Sequence, residues 1–239
     1  MAGQNLTPKS IASFIDHTCV KIDATRNDIK QSCEEAIKYH FHSVCVTPTR
    51  VKDAKKYLGE HIKTIALIAV IGFPFGFTTS ETKAFEAREA VLNGATEIDM
   101  VVNINAIKDV NWDLVLNDIK LVVDAVPNIA VKVILETGLL SQDELIHACR
   151  LAEKAGATFV KTATGYGPRG AELHDIAVMK ASVSNKVKIK ASGGIHDFET
   201  ALAMIKAGAD RIGSSSGLEI IGVKNKTYSK KTQHISYNY

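Results

Sequence analysis

A (β/α)8 TIM barrel preceded by a short N-terminal helix is the architecture expected of this chain. Short β-branched runs alternate with longer stretches of helical period from residue 15 to residue 214. Eight such runs can be counted, and no Pro/Gly-rich linker separates them, which favours a closed barrel over an open doubly wound sheet. With 239 residues, 46% of them hydrophobic and 23% charged, the chain has the composition of a globular protein able to bury one large core.

The strands are expected at 15–19, 43–47, 64–72, 96–102, 130–136, 158–163, 186–192 and 210–214. Helix candidates lie between them. In the stretch 82–93, Ala84, Phe85, Ala87, Arg88, Val91 and Leu92 form an apolar stripe, and Gly94 supplies the stop. The same punctuation recurs at Gly156-Ala157 and Gly208-Ala209, so three helices should leave toward their strands by the same chemistry as Gly94-Ala95. Residues 1–223 are read as one barrel domain and 224–239 as a Lys-rich, flexible, solvated tail.

Net charge narrows the choice of partner. The formal charge of +3 rests on Lys224, Lys226, Lys230 and Lys231; without them residues 1–223 carry −1, which argues against a nucleic-acid face on the folded body. Cys19, Cys33, Cys45 and Cys149 are too sparse for a disulfide scaffold and fit reduced thiols in the cytoplasm. The first ten residues show no signal pattern, and the longest apolar run, 65–71, is too short for a bilayer. His40 and His42 could begin a metal site, but they precede the second strand, at the stability end of a barrel, and no further ligand lines up with them. No metal is expected.

Strand side chains alternate, so a charge on the inward face of a barrel strand is either paired or functional. The fourth strand offers Glu97, Asp99 and Val101 on one face, the fifth Lys132, Ile134 and Glu136, the sixth Phe159, Lys161 and Ala163, and the seventh Lys188 and Lys190. A buried ion-pair network would account for any one of these charges alone. Lys161 and Lys190, however, come from adjacent strands at similar height near the catalytic end, and two ammonium groups in one small volume disfavour each other's charge. A neutral lysine there can attack a carbonyl and form an iminium, an electron sink for breaking the neighbouring carbon–carbon bond. Asp99 can move protons between a substrate hydroxyl and the enamine carbon. Such class I aldolase chemistry needs no metal and no organic cofactor.

The loops after the seventh and eighth strands read as a phosphate pocket. Gly193 and Gly194 follow Ser192, and Gly213-Ser214-Ser215-Ser216-Gly217 opens a last short helix, so backbone N–H groups can reach an anion. Gly165 and Gly167 close the pocket from a third side. Barrels that isomerise or epimerise sugar phosphates carry a similar rim, with Asp99 as base in that reading, and a non-catalytic phosphate binder is the further alternative. The lysines favour the aldolase.

Several segments together carry a family likeness: Ile15-Asp16-His17-Thr18, Ser43-Val44-Cys45-Val46-Thr47-Pro48, Val70-Ile71-Gly72-Phe73-Pro74, Glu97-Ile98-Asp99-Met100-Val101, Lys132-Val133-Ile134-Leu135-Glu136-Thr137-Gly138, Phe159-Val160-Lys161-Thr162-Ala163-Thr164-Gly165, Lys190-Ala191-Ser192-Gly193-Gly194 and Arg211-Ile212-Gly213. On these the chain resembles the deoxyribose-phosphate aldolase family over residues 11–222. The resemblance implies reversible cleavage of 2-deoxy-D-ribose 5-phosphate to D-glyceraldehyde 3-phosphate and acetaldehyde. Lys161 would be the Schiff-base lysine, Asp99 the proton-transfer carboxylate, Lys190 the lysine that tunes Lys161, and Lys132 a support for Asp99. Thr162, Thr164, Gly165, Gly193, Gly194, Gly213, Ser214 and Ser215 would contact the substrate or its phosphate, with Asp16, Cys45 and a C-terminal Tyr239 as further candidates. Some members have a Lys after the Thr-Gly of the sixth loop and an Arg after Gly-Gly-Ile, where this chain has Tyr166 and His196; phosphate affinity would then rest more on backbone N–H groups. The partners implied are small molecules, a sugar phosphate and acetaldehyde, with no membrane or nucleic acid; a homodimer is the working expectation.

Overall fold

A computed structural model of the chain describes residues 6–223. A 3-10 turn, Ser10–Phe14, leads into β1 (Ile15–Cys19), followed by α1 (Arg26–Tyr39), β2 (Ser43–Val46), α2 (Val51–Leu58), β3 (Ala66–Ile71), α3 (Ser80–Asn93) and β4 (Glu97–Val101). The second half runs α4 (Ile104–Lys108), α5 (Trp112–Ala125), β5 (Ala130–Ile134), α6 (Gln142–Lys154), β6 (Phe159–Lys161), α7 (Leu173–Ser182), β7 (Lys188–Ser192), α8 (Phe198–Ala207), β8 (Arg211–Ser214) and α9 (Gly217–Ile220). Each strand pairs in parallel with the next, and β1 pairs with β8, so the sheet closes into the expected barrel.

All eight expected runs are strands, trimmed where the chain turns out of the ladder: 64–72 shortens to Ala66–Ile71 and 158–163 to Phe159–Lys161. Helix boundaries follow local chemistry. Thr25 with Asp28 and Ser141 with Glu144 form capping boxes at the starts of α1 and α6. The shared exits hold as well: Gly94 and Gly208 end α3 and α8 at φ +119°, and Gly156 follows α6 at φ +91°, a region that glycine enters without Cβ strain.

Strand alternation separates two cores. Outward-facing Ile98, Met100, Val131, Val133, Val160 and Ile189 join Ala87, Ile119, Val122 and Ala148 of the helices in one large apolar layer. A small apolar patch, Cys45, Ile68 and Val70, lies apart from it, with Val20 and Phe73 packed against it. The stripe expected on 82–93 needs correction. α3 starts earlier, at Ser80 with Thr79 as its cap, and Phe85 and Leu92 are 61% and 84% exposed. The buried face is Ser80, Lys83, Ala84, Ala87 and Ala90. Lys83 turns inward because Asp118 of α5, at 2.7 Å, and the Val101 carbonyl, at 2.9 Å, receive its ammonium group. With positions 83, 84 and 87 on the core side, Phe85 and Leu92 fall on the opposite side of the helix.

Among the described residues, no helix is long and apolar enough to cross a membrane, and no group of three or more His, Cys, Asp or Glu side chains is arranged to hold a metal ion.

Candidate active site

Inward alternation on consecutive strands places the charged side chains at one level. Asp99 is in register with Lys132, and Lys161 with Lys190. The Asp99 carboxylate is the hub: Oδ1 accepts from Lys132 Nζ at 3.0 Å, and Oδ2 accepts from both Lys161 Nζ at 2.9 Å and Lys190 Nζ at 2.8 Å. Asp99, Lys132 and Lys190 are fully buried, and Lys161 retains 4% exposure. On the far side Lys190 meets Asp16 Oδ2 at 2.6 Å, an ionic contact whose angle falls outside directed hydrogen-bond geometry. Ser43 Oγ donates to the other Asp16 oxygen at 2.8 Å. Gly213 of β8 makes room for this chain of charges, since a Cβ there would stand 2.9 Å from Lys190 Cε.

Burial and pairing compete at each group. Burial alone would raise Asp99, but Lys132, Lys161 and Lys190 outweigh it and hold the carboxyl well below the usual range. Burial works against charge on Lys190 and Lys132 as well. Asp16 and Asp99 overcome it at Lys190, as Asp99 and Glu97 do at Lys132, and both stay firmly protonated. Cys45, fully buried in the small apolar patch, is pushed up to about 11 by that burial, so its thiol remains protonated at neutral pH.

Around the rim, Gly165, Gly193 and Gly194 adopt φ of +89°, +86° and +72°. Gly165, Gly194 and Ser215 are exposed. Gly170 presses so closely on Gly193 that a Cβ would lie 2.2 Å from its carbonyl oxygen, and Ala171 N donates to that oxygen at 3.1 Å. The Ser214 hydroxyl is engaged with the Ile195 carbonyl at 2.6 Å and accepts from Ser216 N at 2.9 Å, tying the two glycine-bearing loops together. Thr162 faces away from the lysines' side of the sheet: its hydroxyl donates to Ser192 O and accepts from Ser192 N, both at 2.9 Å, stapling β6 to β7. Thr164 donates its N–H at 3.0 Å and its hydroxyl to Glu136 Oε2. Tyr239 lies outside the described residues.

Other charges are arranged as sequence reasoning did not anticipate. Lys188 is exposed over the Phe159 ring, at the end of the strand away from Lys161. His42 sits 3.6 Å from Glu97 Oε1 and also contacts Arg211, while Glu97 Oε2 pairs with Lys132, so this histidine belongs to an ion-pair network beneath the lysines. Glu136 is buried at φ +55°, with Oε1 unpartnered. Arg211 Nε lies 3.7 Å from Asp16. Its position on β8, the strand that carries Gly213, was the available signal.

Residues 10–222 match the model of the DeoC/LacD family aldolases. A deoxyribose-phosphate aldolase from Thermococcus gammatolerans is 51% identical over 218 residues, covering 90% of this chain and 97% of that one. One from Aciduliprofundum boonei is 53% identical over 216 residues, covering 89% and 96%. Among solved structures, a putative deoxyribose-phosphate aldolase from Coccidioides immitis superposes with a TM-score of 0.87 at 39% identity, covering 91% and 86% of the two chains. A tetrameric deoxyribose phosphate aldolase from Aeropyrum pernix superposes at 0.80 with 30% identity, covering 90% and 91%.

Proposed function

Because the chain belongs to the DeoC/LacD family of aldolases, we propose that its barrel cleaves 2-deoxy-D-ribose 5-phosphate reversibly to D-glyceraldehyde 3-phosphate and acetaldehyde, through a Schiff base on Lys161, in the breakdown of deoxyribose phosphate. The observation that carries this reading is the single Asp99 oxygen shared by Lys161 and Lys190. A purely structural pair would need one ammonium group, and here a second sits in register beside the first at the open end of the strands.

In its free-amine form Lys161 attacks the open-chain aldehyde carbon; loss of water gives the iminium. A base then removes the proton from the hydroxyl on the third carbon, the bond between carbons two and three breaks, and its electron pair enters the iminium to give an enamine. Asp99, held ionised, accepts that hydroxyl proton directly or through a water. A carboxylate this acidic does not store a proton, so it passes it on to the enamine carbon. Lys190, kept charged by Asp16, polarises the relay, and Lys132 fixes the other Asp99 oxygen. Hydrolysis of the regenerated iminium releases acetaldehyde. Lys161 supplies the electron sink, so no metal or organic cofactor is required.

The phosphate is assigned to the exposed backbone around Gly193, Gly194 and Ser215, with Gly165 opposite. Residues 1–223 form the barrel aldolase domain, acting in the cytoplasm, where free thiols such as Cys33 and Cys149 persist, and as a homodimer. The test is covalent. Incubation with acetaldehyde, reduction with borohydride and peptide mapping should place an ethyl group on Lys161, and Lys161→Arg should abolish both label and cleavage. A label elsewhere, or an active Arg variant, removes the mechanism.

A further inference from the structure

Tyr166 stands on the loop after β6 and reaches over the barrel mouth. Its hydroxyl donates to the Val20 carbonyl, just past β1, at 3.0 Å. Its ring meets Phe73, just past β3, edge-on with centroids 5.6 Å apart. In the closed strand order two strands separate β6 from β1 on one side and two separate it from β3 on the other. The side chain therefore crosses the opening as a chord instead of following its edge. Its own loop is anchored, because Tyr166 N donates to Thr164 Oγ1 at 3.0 Å and Thr164 is held by Glu136.

What lies under the chord is apolar. Val20 and Phe73 pack on Cys45, Ile68 and Val70, and Val70 is the register neighbour of Asp99. The charged side of the cavity, from β4 to β7 with Asp16 of β1, thus meets an apolar side from β2 and β3 closed above by Tyr166. We propose that Tyr166 is a specificity-determining residue that limits the size of the aldehyde activated as the enamine. This rests on the aldolase reading above. The enamine carbon must reach Asp99 to be protonated, so it lies beside Val70. A substituent on that carbon is directed at the Val70–Phe73 wall beneath the tyrosine ring. Acetaldehyde carries only hydrogen there, whereas propanal carries a methyl group that must displace the ring. Because Tyr166 is 47% exposed, truncating it opens that space with little disturbance to the core.

The test compares kcat/KM for acetaldehyde and for propanal as donors, each with D-glyceraldehyde 3-phosphate as acceptor, in the parent protein, Tyr166→Phe and Tyr166→Ala. The Ala variant should raise the propanal-to-acetaldehyde ratio by about tenfold or more, the scale on which a tight pocket discriminates a methyl group. The Phe variant, which keeps the ring against Phe73 and lacks the hydroxyl that donates to Val20, should raise it less. A ratio unchanged within about twofold in Tyr166→Ala, with acetaldehyde and borohydride still labelling Lys161, overturns the proposal while leaving the aldolase mechanism standing. Absence of the Lys161 label in the parent protein takes down both.

Discussion

Replacing Lys190 with methionine keeps most of the side-chain volume and removes the central positive charge from the cluster. Asp16 Oδ2 then loses its cation at 2.6 Å; what remains on the other oxygen is the Ser43 hydroxyl at 2.8 Å and Arg211 Nε at 3.7 Å. Breaking one side of a buried pair costs about 3–5 kcal/mol, because an uncompensated charge is left inside. For a chain of this size each kcal/mol moves the midpoint by roughly 2–4 °C, so thermal unfolding should begin about 10 °C earlier. Asp99 keeps Lys132 and Lys161, so the cleavage rate should fall through loss of the relay, by about 10²–10⁴. Adding Asp16→Asn removes the stranded carboxylate and should recover much of the stability without recovering the rate. Circular dichroism melts and an acetaldehyde-release assay on the two variants separate these effects. A Lys190→Met protein with parental melting behaviour, or with kcat within about threefold of the parent, would refute the charge chain as drawn.

Two further outcomes follow from buried charges. Burial pushes Glu97 up, but His42 and Lys132 prevail and bring it to about 2, below its ordinary 4.5. Its contribution to stability is therefore complete above about pH 4.5 and lost as pH falls toward 2; Glu97→Gln should flatten acid unfolding across that window by about 3 kcal/mol, and an unchanged acid limb in urea titrations would contradict this. For Lys83 and Asp118, burial dominates, lowering the lysine and raising the aspartate. Lys83→Met alone should cost about 3–5 kcal/mol, whereas Lys83→Met with Asp118→Leu should melt close to the parent protein; equal losses in the single and double variants would show that the bond to the Val101 carbonyl, not the charge pair, is what matters.

The strands were legible because a two-residue period with charges on one parity has few interpretations inside a barrel, and Asp99, Lys132, Lys161 and Lys190 follow from it directly. The partner of Lys190 was harder to read. Asp16 is far away in sequence, and its reach to β7 depends on the register in which β1 closes against β8, which the expectation of a barrel does not fix. Lys83 misleads for a different reason: a lysine at a core position of a helix reads as solvated until its acidic partner on another helix is known. Thr162 shows the cost of reading a loop motif by adjacency, since one residue past Lys161 the side chain faces the opposite side of the sheet and its hydroxyl staples the wall. Tyr166 was visible as the residue that stands where some family members have a lysine, which bears on phosphate affinity and not on a span across the barrel mouth. Its span to Val20 is a property of loop geometry, for which sequence offers no period.

The missing side chain at Gly213 matters most for how the molecule is made. Asp16 and Lys190 stand on strands that are neighbours only through β8, and the lysine passes over that glycine to reach the aspartate. A ribbon of seven strands leaves Asp16 without its cation and Lys190 with Asp99 alone. During refolding, turnover should therefore be the last property to return, after helix content, and a stopped-flow record of regained activity would time the docking of the final strand.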